Sequence, residues 1–326
     1  MPRRRVPSTR SILNKTRTRT MVSPAMREDI FPDRIPVLKP SDYMPLVEAA
    51  FAEDLGDAGD VTSLATVPDE SCDAFLLSKD EGVLAGAEVF SAVFRRSDPA
   101  LSVEFSVRDG AEVRPGDRIA TVRGKARPVL SAERTALNFI GYLSGIASAA
   151  HRLSAAARAA GGVVVLDTRK TLPGYRALAK YAVAVGGGRN HRRGLYDMVL
   201  VKNNHIDAAG SVARAVERVR ALWGARFPVE VECRDMAEVD QALEAGADVV
   251  MLDNMDAAAM KAAVERIGGR AAVEASGNMD AAKLAAAAAA GVGFVSVGAL
   301  THSVRCFDFS LRIDKRKRGD GNLGKA

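Results

Sequence analysis

The sequence predicts an α/β protein in which an N-terminal α/β domain is followed by a barrel of parallel βα units. The length of 326 residues suggests about two domains. Between residues 72 and 123, short apolar strands alternate with glycine turns. From residue 161 onward, six β-branched runs are separated mostly by alanine-rich helical stretches, a rhythm typical of parallel βα units.

Composition and charge distribution narrow the class of protein. Hydrophobic residues make up 48% and charged residues 26% of the chain, which excludes wholesale disorder and a collagen-like fibre. The net charge of +6 comes from the two ends, because residues 1–20 hold seven bases and no acid, and residues 314–326 carry +3. Residues 21–313 therefore carry about −4, which gives no support for nucleic-acid binding by the body of the protein. No apolar run approaches the ~18 residues of a membrane span.

The two chain termini and the cysteine content indicate the cellular compartment of the protein. We interpret residues 1–40 as a basic, flexible arm and residues 314–326 as a solvated basic tail. The Arg- and Ser-rich start could also be an organelle transit peptide, or Met21 or Met26 could be the true first residue. Three cysteines without a C-x-x-C pair predict neither a disulfide framework nor a structural zinc site. A reducing compartment, the cytoplasm, is therefore expected.

The N-terminal α/β domain is expected over residues 41–145 and begins with a helix at 41–55. Residues 109–124 have hairpin turn chemistry and resemble the hammerhead-like β modules related to lipoyl and biotinyl domains. A carrier module of that kind needs a lysine at an exposed hairpin tip, whereas Lys125 follows the strand. A carrier function is therefore the weaker alternative.

The barrel is expected over residues 146–313, and a long helix at 131–158, capped by Ser131, bridges to it. Its strands are predicted at VVVLD, DMVLVK, VEVEC, DVVMLD, AAVEAS and FVSVG. Alternate side chains of a strand share a face, and in the last five runs one face is aliphatic. If that face packs under the helices, the other face lines one lumen. The strand ends then bring to one rim Lys202, Glu232, Asp253, Ser276 and Gly298.

The densest chemical signal is the basic segment 167–206. Arginine binds carboxylates and phosphates through two parallel bonds, and lysine supplies a point charge. Such a cluster at a barrel rim predicts a site for a small molecule with several negative charges. A solvated basic loop is the alternative, which we favour only for Arg193, and His205 could either bind a ligand or cap a helix. The candidate ligands are Arg169, Lys170, His191, Arg192 and Lys202.

Carboxylates and small residues complete the predicted rim. Glu232 and Asp253 could hold Mg²⁺ jointly with substrate phosphates or stabilise a cationic transition state, and ion pairs with neighbouring cations are the alternative. Glu230 and Glu274 lie one step deeper and are interpreted as paired structural acids. The ends of the last two strands could present backbone N–H groups to a phosphate, and they hold Ser276, Gly277, Asn278, Gly298 and Ala299.

Several catalytic motifs are missing from the sequence. The RKT triplet lacks the upstream glycines of a P-loop, and the GGG run does not fit a G-x-G-x-x-G pattern after a strand. Neither H-E-x-x-H nor G-x-S-x-G occurs. These absences argue against an NTPase, a classical dehydrogenase, a zinc protease and a serine hydrolase.

Together these residues resemble one family, the quinolinate phosphoribosyltransferases, also called nicotinate-nucleotide pyrophosphorylases (carboxylating). The resemblance spans nearly all of residues 41–313 and omits both ends, and segment 167–206 is its longest and most specific part. The other matching stretches are EDLGDAGDVTS, AERTALNFIGYLSGIAS, VEVEC, MLDNM, EASGNM and VSVGALTHSV. It implies a type II phosphoribosyltransferase fold, with a hammerhead-like N-terminal α/β sandwich domain and an open six-stranded α/β barrel.

The resemblance also implies a reaction and its partners. Phosphoribosyl pyrophosphate and quinolinate would react with Mg²⁺ as cofactor to give nicotinate mononucleotide, pyrophosphate and CO₂ in de novo NAD synthesis. A homodimer is implied, alone or as the unit of a hexamer, with no nucleic-acid or membrane partner. The close alternatives are paralogues of the same fold, namely molybdenum-transport-associated pyrophosphorylase-like proteins and nicotinate phosphoribosyltransferases.

Matched position by position, the resemblance assigns roles to the candidate residues. Arg134, on the long helix, is expected to reach the site of a neighbouring subunit. Quinolinate would also be bound by Arg169, His191, Arg192 and Lys202. The catalytic groups around the phosphoribosyl substrate and its Mg²⁺ would be Lys170, Glu232 and Asp253. The 5′-phosphate would be held by Ser276, Gly277, Asn278, Gly298 and Ala299, with His302 as a weaker candidate.

Two positions depart from the family pattern. Asn203 stands where the family often has aspartate, which removes a charge near the substrate and could alter metal or phosphate affinity. Asn278 stands where many relatives have glycine. Neither departure changes the assignment.

Overall fold

A computed structural model describes residues 30–314 of the chain. The N-terminal part holds α1 (Pro40–Leu55), α2 (Val61–Thr66), β1 (Ser71–Ser78), β2 (Gly82–Val83), α3 (Ala87–Ser97), β3 (Ser102–Phe105), β4 (Glu112–Val113), β5 (Arg118–Lys125) and α4 (Ala126–Ala159). No helix among these described residues, 30–314, is long and apolar enough to cross a membrane.

The second part of the chain alternates strands and helices, as the rhythm of β-branched runs predicts. It holds β6 (Val164–Leu166), α5 (Arg176–Val185), β7 (Val199–Val201), α6 (Asn203–Ala209), α7 (Val212–Trp223), β8 (Val229–Cys233), α8 (Met236–Ala245), β9 (Val249–Asp253), α9 (Ala257–Ile267), β10 (Ala272–Ser276), α10 (Ala281–Ala289), β11 (Phe294–Ser296), α11 (Ala299–His302) and β12 (Phe309–Ile313). Each of the six predicted runs contains one strand, β6 to β11.

These six strands form one parallel sheet in the order β6-β11-β10-β9-β8-β7. The described pairings leave β6 and β7 as the two edges, so the barrel is open between them, as expected for this α/β class. Parallel strands connected by helices place all their carboxyl ends at the same edge of the sheet. The sheet therefore has a single rim at which the strand-terminal polar residues meet.

The predicted alternation of faces is confirmed, and β9 illustrates it. Val250 and Leu252 belong to the main hydrophobic core beneath the helices. Val249 faces the lumen and packs in a separate apolar cluster. Met251 and Asp253 continue the lumen face upward and line a cavity at the rim. The period of two along the strand thus converts a sequence pattern into a layered lumen.

The N-terminal domain contains an antiparallel sheet in the order β12-β1-β5-β3. Its outer strand β12 lies within the range 146–313 expected for the barrel, but it pairs with the N-terminal sheet. Phe309 to Ile313 pair with β1, Phe309 opposite Ser78 and Ile313 opposite Ala74. The chain therefore returns to the first domain after the last barrel strand, because the open edge of β1 offers unpaired backbone groups that β12 satisfies.

The long helix α4 starts earlier than predicted. It begins at Ala126, not at Ser131, because Lys125 ends β5 in an extended conformation and serves as N-cap. Ser131 lies inside the helix, where its hydroxyl donates to the Asp60 carboxylate at 2.9 Å and to the Arg127 carbonyl at 3.1 Å. A serine that satisfies its hydroxyl in this way does not have to mark a helix end.

Residues 30–39 do not behave as the free arm predicted for residues 1–40. Phe31 is completely buried, and several of residues 32–38 line a cavity beside α5. The sequence does not reveal which side chain of this segment enters the lumen of the barrel, because the lumen forms only when the sheet curves. The rest of the predicted arm, residues 1–29, and the tail beyond residue 314 lie outside the described residues.

The barrel helices begin abruptly because side chains cap their first turns. In four of these helices the side chain of the N-cap residue accepts a hydrogen bond from the backbone N–H of the residue three positions later. The N-cap residues are Ser211, Asp235, Asp256 and Asp280. Each cap of this type stabilises its helix by about 1 kcal/mol. The last three lie within a few residues of the preceding strand, which keeps the loops at the rim short.

The triple glycine 186–188 serves close packing between α4 and the end of α5. A Cβ atom at Gly186 would overlap the carbonyl oxygen of Ala147 and lie 2.7 Å from the Cβ of Ala150. Gly187 has φ +86, a conformation that side chains strongly disfavour. The run therefore reflects backbone contact rather than a phosphate-binding loop.

We expect Gly186→Ala to lower the free energy of unfolding by about 1–3 kcal/mol, because backbone atoms of α4 must move to admit the methyl group. Denaturant unfolding followed by circular dichroism measures the effect. Gly293→Ala is the matched control, since a Cβ there would meet its nearest atom, the Val273 carbonyl oxygen, at 3.6 Å. Equal stabilities for the two variants would contradict the packing explanation.

Candidate active site

The rim of the barrel encloses a cavity of about 560 Å³. Polar residues from all six strand ends and the segments that follow them line it. Of the candidates derived from the sequence, those that line it are Arg169, Lys170, His191, Arg192, Lys202, Glu232, Asp253, Ser276, Gly277, Asn278, Gly298, Ala299 and His302. Of the residues to which the resemblance assigns a role, Arg134 alone does not line this cavity; it is exposed on α4.

A buried ion pair organises the basic loop that forms one wall of the cavity. Asp167, which follows β6, and Lys180, on α5, are both almost completely buried, and their charged groups lie 2.5 Å apart. Asp167 also accepts hydrogen bonds from the side-chain amide of Asn190 at 2.7 Å and from the backbone N–H of His191 at 2.9 Å. Lys180 donates to the His191 carbonyl at 3.0 Å. The pair therefore fixes the backbone from which His191 and Arg192 project.

His191 forms the floor of the cavity. Its Nδ1 accepts the backbone N–H of Arg192 at 2.7 Å, so a neutral ring carries its proton on Nε2. Burial lowers the pKa of His191, which favours that neutral ring. Nε2 lies 2.8 Å from Glu230 and 3.5 Å from Glu274. Both ring nitrogens of this predicted quinolinate ligand therefore face protein groups.

Glu230 and Glu274 lie directly beneath this floor, and both are completely buried. Burial raises the pKa of each carboxyl group to about 8. The pair therefore retains a proton at neutral pH and does not place two negative charges below the cavity. This arrangement agrees with their interpretation as paired structural acids.

One ligand atom from each of His191, Glu230 and Glu274 lies within 4.8 Å of the others, a spacing that could hold a metal ion. The Arg192 N–H at Nδ1 argues against that use. With Nδ1 as acceptor, Nε2 keeps its hydrogen and offers no lone pair to a metal. The group is better described as a histidine that lies against a pair of buried carboxyl groups.

Two guanidinium groups supply uncompensated positive charge to the cavity. Arg192 is 9% exposed, and its Nη1 donates to the Met198 carbonyl at 3.3 Å. Arg169 has a buried Nε without a hydrogen-bond partner. Within residues 30–314, neither guanidinium forms a salt bridge with a carboxylate. Burial and the neighbouring Arg169 lower the pKa of Arg192, a sign that this site favours an added negative charge.

Lys202, unlike the two arginines, already forms an ion pair. Lys202 follows β7 and lies 2.6 Å from the Glu232 carboxylate at the end of β8. Asp253, at the end of β9, accepts a hydrogen bond from the Asn254 amide at 3.0 Å. Burial, followed by the charge of Glu232, raises the pKa of Asp253. Ion pairing is the alternative role that the sequence offers for Glu232 and Asp253. Glu232 forms such a pair, whereas Asp253 forms no salt bridge within residues 30–314.

Glu232 and Asp253 fit a divalent cation of the Mg²⁺ type. They stand on neighbouring strands, and Mg²⁺ prefers oxygen ligands, commonly one or two carboxylates together with substrate phosphates and water. Burial and the nearby charge of Glu232 raise the pKa of Asp253, and an added cation would lower it again.

The opposite wall consists of small residues whose backbone approaches the cavity closely. Gly277 has φ +113, and a Cβ there would overlap the side-chain amide of Asn254. Asn278 has φ +24, a conformation in which glycine is the usual residue, consistent with its departure from the family pattern. At Gly298 a Cβ would lie 2.9 Å from the Lys170 side chain, so this glycine allows Lys170 to cross the strand end.

Some candidate residues have structural roles, and some structurally important residues were not predicted from the sequence. His205 accepts the Lys202 backbone N–H at 2.9 Å and so caps α6, which resolves its two possible roles in favour of the cap. The Asn203 amide oxygen is buried and has no hydrogen-bond partner. Sequence reasoning did not single out Asp167 and Lys180 as organisers. A lysine within the apolar helix RALAKYAVAV was the available signal, because such a lysine requires a buried partner.

Comparison with known proteins matches both parts of the chain to one family. The description "Quinolinate phosphoribosyl transferase, N-terminal domain" matches residues 60–144, and its C-terminal domain matches residues 146–312. The chloroplastic nicotinate-nucleotide pyrophosphorylase (carboxylating) of Oryza sativa subsp. japonica is 42% identical over 304 residues, covering 86% of this chain and 81% of the relative. A probable nicotinate-nucleotide pyrophosphorylase (carboxylating) of Bacillus subtilis is 38% identical over 270 residues, covering 82% and 92%.

Solved structures agree with these sequence matches. The nicotinate-nucleotide pyrophosphorylase from Francisella tularensis superposes with a TM-score of 0.82 at 38% identity, covering 86% of this chain and 99% of that one. Human nicotinic acid phosphoribosyltransferase superposes with a TM-score of 0.50 at 14% identity, covering 85% and 74%, and so shares the fold alone.

We expect the buried carboxyl pair to make stability depend on pH. The folded protein holds a proton on Glu274 up to about pH 8, whereas the unfolded chain releases it near the ordinary value of 4.5. Relative to Glu274→Gln, the wild-type free energy of unfolding should therefore fall by on the order of 1 kcal/mol per pH unit between about pH 5 and 8. Denaturant unfolding at several pH values measures this difference.

Glu265→Gln serves as control, because Glu265 is exposed on α9. Its stability difference from the wild type should not vary over the same pH range. A difference between wild type and Glu274→Gln that also stays constant would show that the buried pair does not hold an extra proton.

Proposed function

Since the chain belongs to the quinolinate phosphoribosyltransferase family, we propose that the rim cavity binds quinolinate and phosphoribosyl pyrophosphate next to each other. The enzyme is a pentosyltransferase of NAD biosynthesis. It transfers the phosphoribosyl group to quinolinate with decarboxylation and releases nicotinate mononucleotide, pyrophosphate and CO₂. The observation that carries the placement is that one cavity combines two guanidinium groups, which form no salt bridge within residues 30–314, with two carboxylates and several small residues.

Quinolinate occupies the basic wall. Its two carboxylates need several cations, and the unpaired guanidinium groups of Arg169 and Arg192 can each accept one through two parallel bonds. Lys202 adds a charge that Glu232 already shares, so it contributes to orientation more than to net attraction. His191 supports the ring from below, because its nitrogens already face Arg192 and Glu230.

Phosphoribosyl pyrophosphate occupies the other side. The backbone close to Gly277 and Asn278, together with Gly298 and Ala299, leaves room for the 5′-phosphate, with His302 beside it. Lys170 crosses Gly298 and is directed along this side of the cavity. Mg²⁺ would be held by Asp253 and Glu232 with pyrophosphate oxygens, and when bound it would neutralise part of the charge on the departing pyrophosphate.

The chemistry then needs positioning and charge more than acid–base groups. As the bond from ribose C1 to pyrophosphate breaks, positive charge develops on the ribose, and the carboxylates of Glu232 and Asp253 stabilise it. The pyridine nitrogen of quinolinate forms the new bond to C1 and becomes cationic. That charge accepts the electron pair released when the adjacent carboxylate leaves as CO₂, and the ring carbon then takes a proton. Holding the two reactants in line supplies most of the rate enhancement.

A homodimer completes the proposed site. Arg134 is exposed on α4 and lies outside the cavity of its own chain, so it is free to enter the cavity of a second copy. Exposed apolar side chains support a covering partner near both places, namely Val61 and Leu64 on α2 and Leu195 and Tyr196 in the basic loop. A hexamer would repeat this dimer.

The proposed location is the cytoplasm. Cys72, Cys233 and Cys306 form no disulfide, in keeping with a reducing compartment. Plant relatives carry the names chloroplastic and mitochondrial, and import into such a compartment is the alternative.

We expect purified protein to form nicotinate mononucleotide from quinolinate and phosphoribosyl pyrophosphate when Mg²⁺ is present, and to lose this activity when the metal is chelated. Arg169→Ala should lower kcat/KM for quinolinate by about 100-fold or more, because a buried charge-assisted pair is lost. Product formation is followed by chromatography or absorbance.

Arg193→Ala is the matched control, since Arg193 is two residues from His191 but pairs with Asp42 at 3.2 Å outside the rim cavity. It should retain activity close to wild type. Product from nicotinate but none from quinolinate would contradict the proposal and indicate a paralogue with a monocarboxylate acceptor.

Mixing two inactive variants tests the contribution of Arg134. Arg134→Ala and Arg169→Ala should each be inactive alone. After the subunits exchange, a mixed dimer has one cavity with Arg169 of one copy and Arg134 of the other, so about one quarter of wild-type activity should return. Activity of the 1:1 mixture, compared with each variant alone, measures this. No recovery from subunits shown to exchange would place Arg134 outside the partner site.

A further inference from the structure

We propose that Phe31 plugs the lower end of the barrel and is a positioning residue for His191 and, through it, for Arg192. The segment that carries Phe31, residues 30–38, is called the N-terminal plug below. This inference rests on the proposed function, in which His191 and Arg192 form the quinolinate wall.

Phe31 lies at the end of the lumen opposite the substrate cavity. It packs in an apolar cluster that is separate from the main core. Three members of that cluster, Val249, Ala272 and Phe294, are the first residues of β9, β10 and β11, whereas the cavity lies at the other ends of these strands. The fully buried ring of Phe31 therefore closes the lumen from below.

The same ring touches the floor of the substrate cavity. The ring centroids of Phe31 and His191 are 5.1 Å apart, and the ring of Phe294 meets Phe31 edge-on at 4.9 Å. His191 also borders a second cavity of about 310 Å³, which the plug lines on the outer side. The imidazole is thus a thin partition between substrate and plug, and it has Phe31 packed against it on the plug side.

A tether links the plug to the loop that carries His191. The Arg189 guanidinium binds the Asp33 carboxylate at 2.7 Å and approaches the Phe31 carbonyl at 3.5 Å. The backbone of Arg189 is itself fixed, because its N–H donates to the Val165 carbonyl at 2.8 Å. Plug and loop therefore hold one position relative to the barrel strand β6.

The contacts of His191 convert this support into substrate geometry. The ring Nδ1 accepts the Arg192 N–H at 2.7 Å, and Nε2 lies 2.8 Å from a Glu230 oxygen without forming a hydrogen bond within residues 30–314. Packing against Phe31 restrains the tilt of the His191 ring, which these two contacts do not prevent. If the Phe31 ring is removed, the His191 ring can tilt into the vacated space. The Arg192 backbone, whose N–H donates to His191 Nδ1, then shifts with that ring. The loss should fall on quinolinate, because the second cavity, which the plug lines, borders His191 and Arg192 and none of the residues proposed to hold the 5′-phosphate.

Point variants of the full chain test the inference. Phe31→Ala should weaken quinolinate binding, measured by calorimetry, by about 10-fold and change phosphoribosyl pyrophosphate affinity by less than about twofold. Phe31→Leu, which keeps volume but loses the ring, should give a smaller loss of about threefold. Val37→Ala is the matched control, since Val37 lies in the same segment and is 85% exposed.

A double-mutant cycle with His191→Ala separates positioning from general loosening. If Phe31 acts through His191, Phe31→Ala should weaken quinolinate binding no further in the His191→Ala background. Additive losses, or equal losses for both substrates, would overturn the inference. Should Phe31→Ala fail to fold, the cycle is made with Phe31→Leu, and an unchanged quinolinate affinity in that variant would overturn it as well. A wild type that does not bind quinolinate at all would overturn the proposed function, and this inference with it.

Discussion

The buried ion pair between Asp167 and Lys180 is the constraint on which the site depends. Both charges are removed from water, and a buried pair is stable only when further hydrogen bonds satisfy its remaining atoms. Asn190 and His191 provide those bonds, so the segment that satisfies the pair is the segment that reaches the substrate cavity. Removing one partner would leave an uncompensated charge and typically costs about 3–5 kcal/mol. Stability and site geometry therefore rest on the same atoms.

The lumen of the barrel is layered by polarity, and each layer supports the one above it. Phe31 and the apolar strand starts close the bottom. Above them, Glu230 and Glu274 retain a proton and lie directly beneath His191. Uncompensated charge is confined to the top layer, where substrate and metal can supply the opposite sign. This order avoids the large cost of burying unpaired charge while keeping the rim strongly polar.

Charge at the rim is divided in a way that suits two anionic reactants and a cationic transition state. The guanidinium wall attracts carboxylates, and Arg192 and Arg169 repel each other until an anion separates them. On the side of the carboxylates, burial and the charge of Glu232 raise the pKa of Asp253, which disfavours its ionised form. Each wall is thus stabilised by the species that the reaction brings to it, which is the preorganisation expected of a site that works by electrostatics.

The sequence by itself determined the barrel, the phase of its strands and the membership of the rim. Period-two alternation in runs such as DVVMLD decides which side chains face the lumen, and parallel βα order decides that Lys202, Glu232 and Asp253 meet. Only the tertiary structure decided the start of α4 at Ala126, the return of β12 to the first domain and the burial of Phe31. These depend on contacts between residues far apart in the chain, for which no local pattern carries a signal.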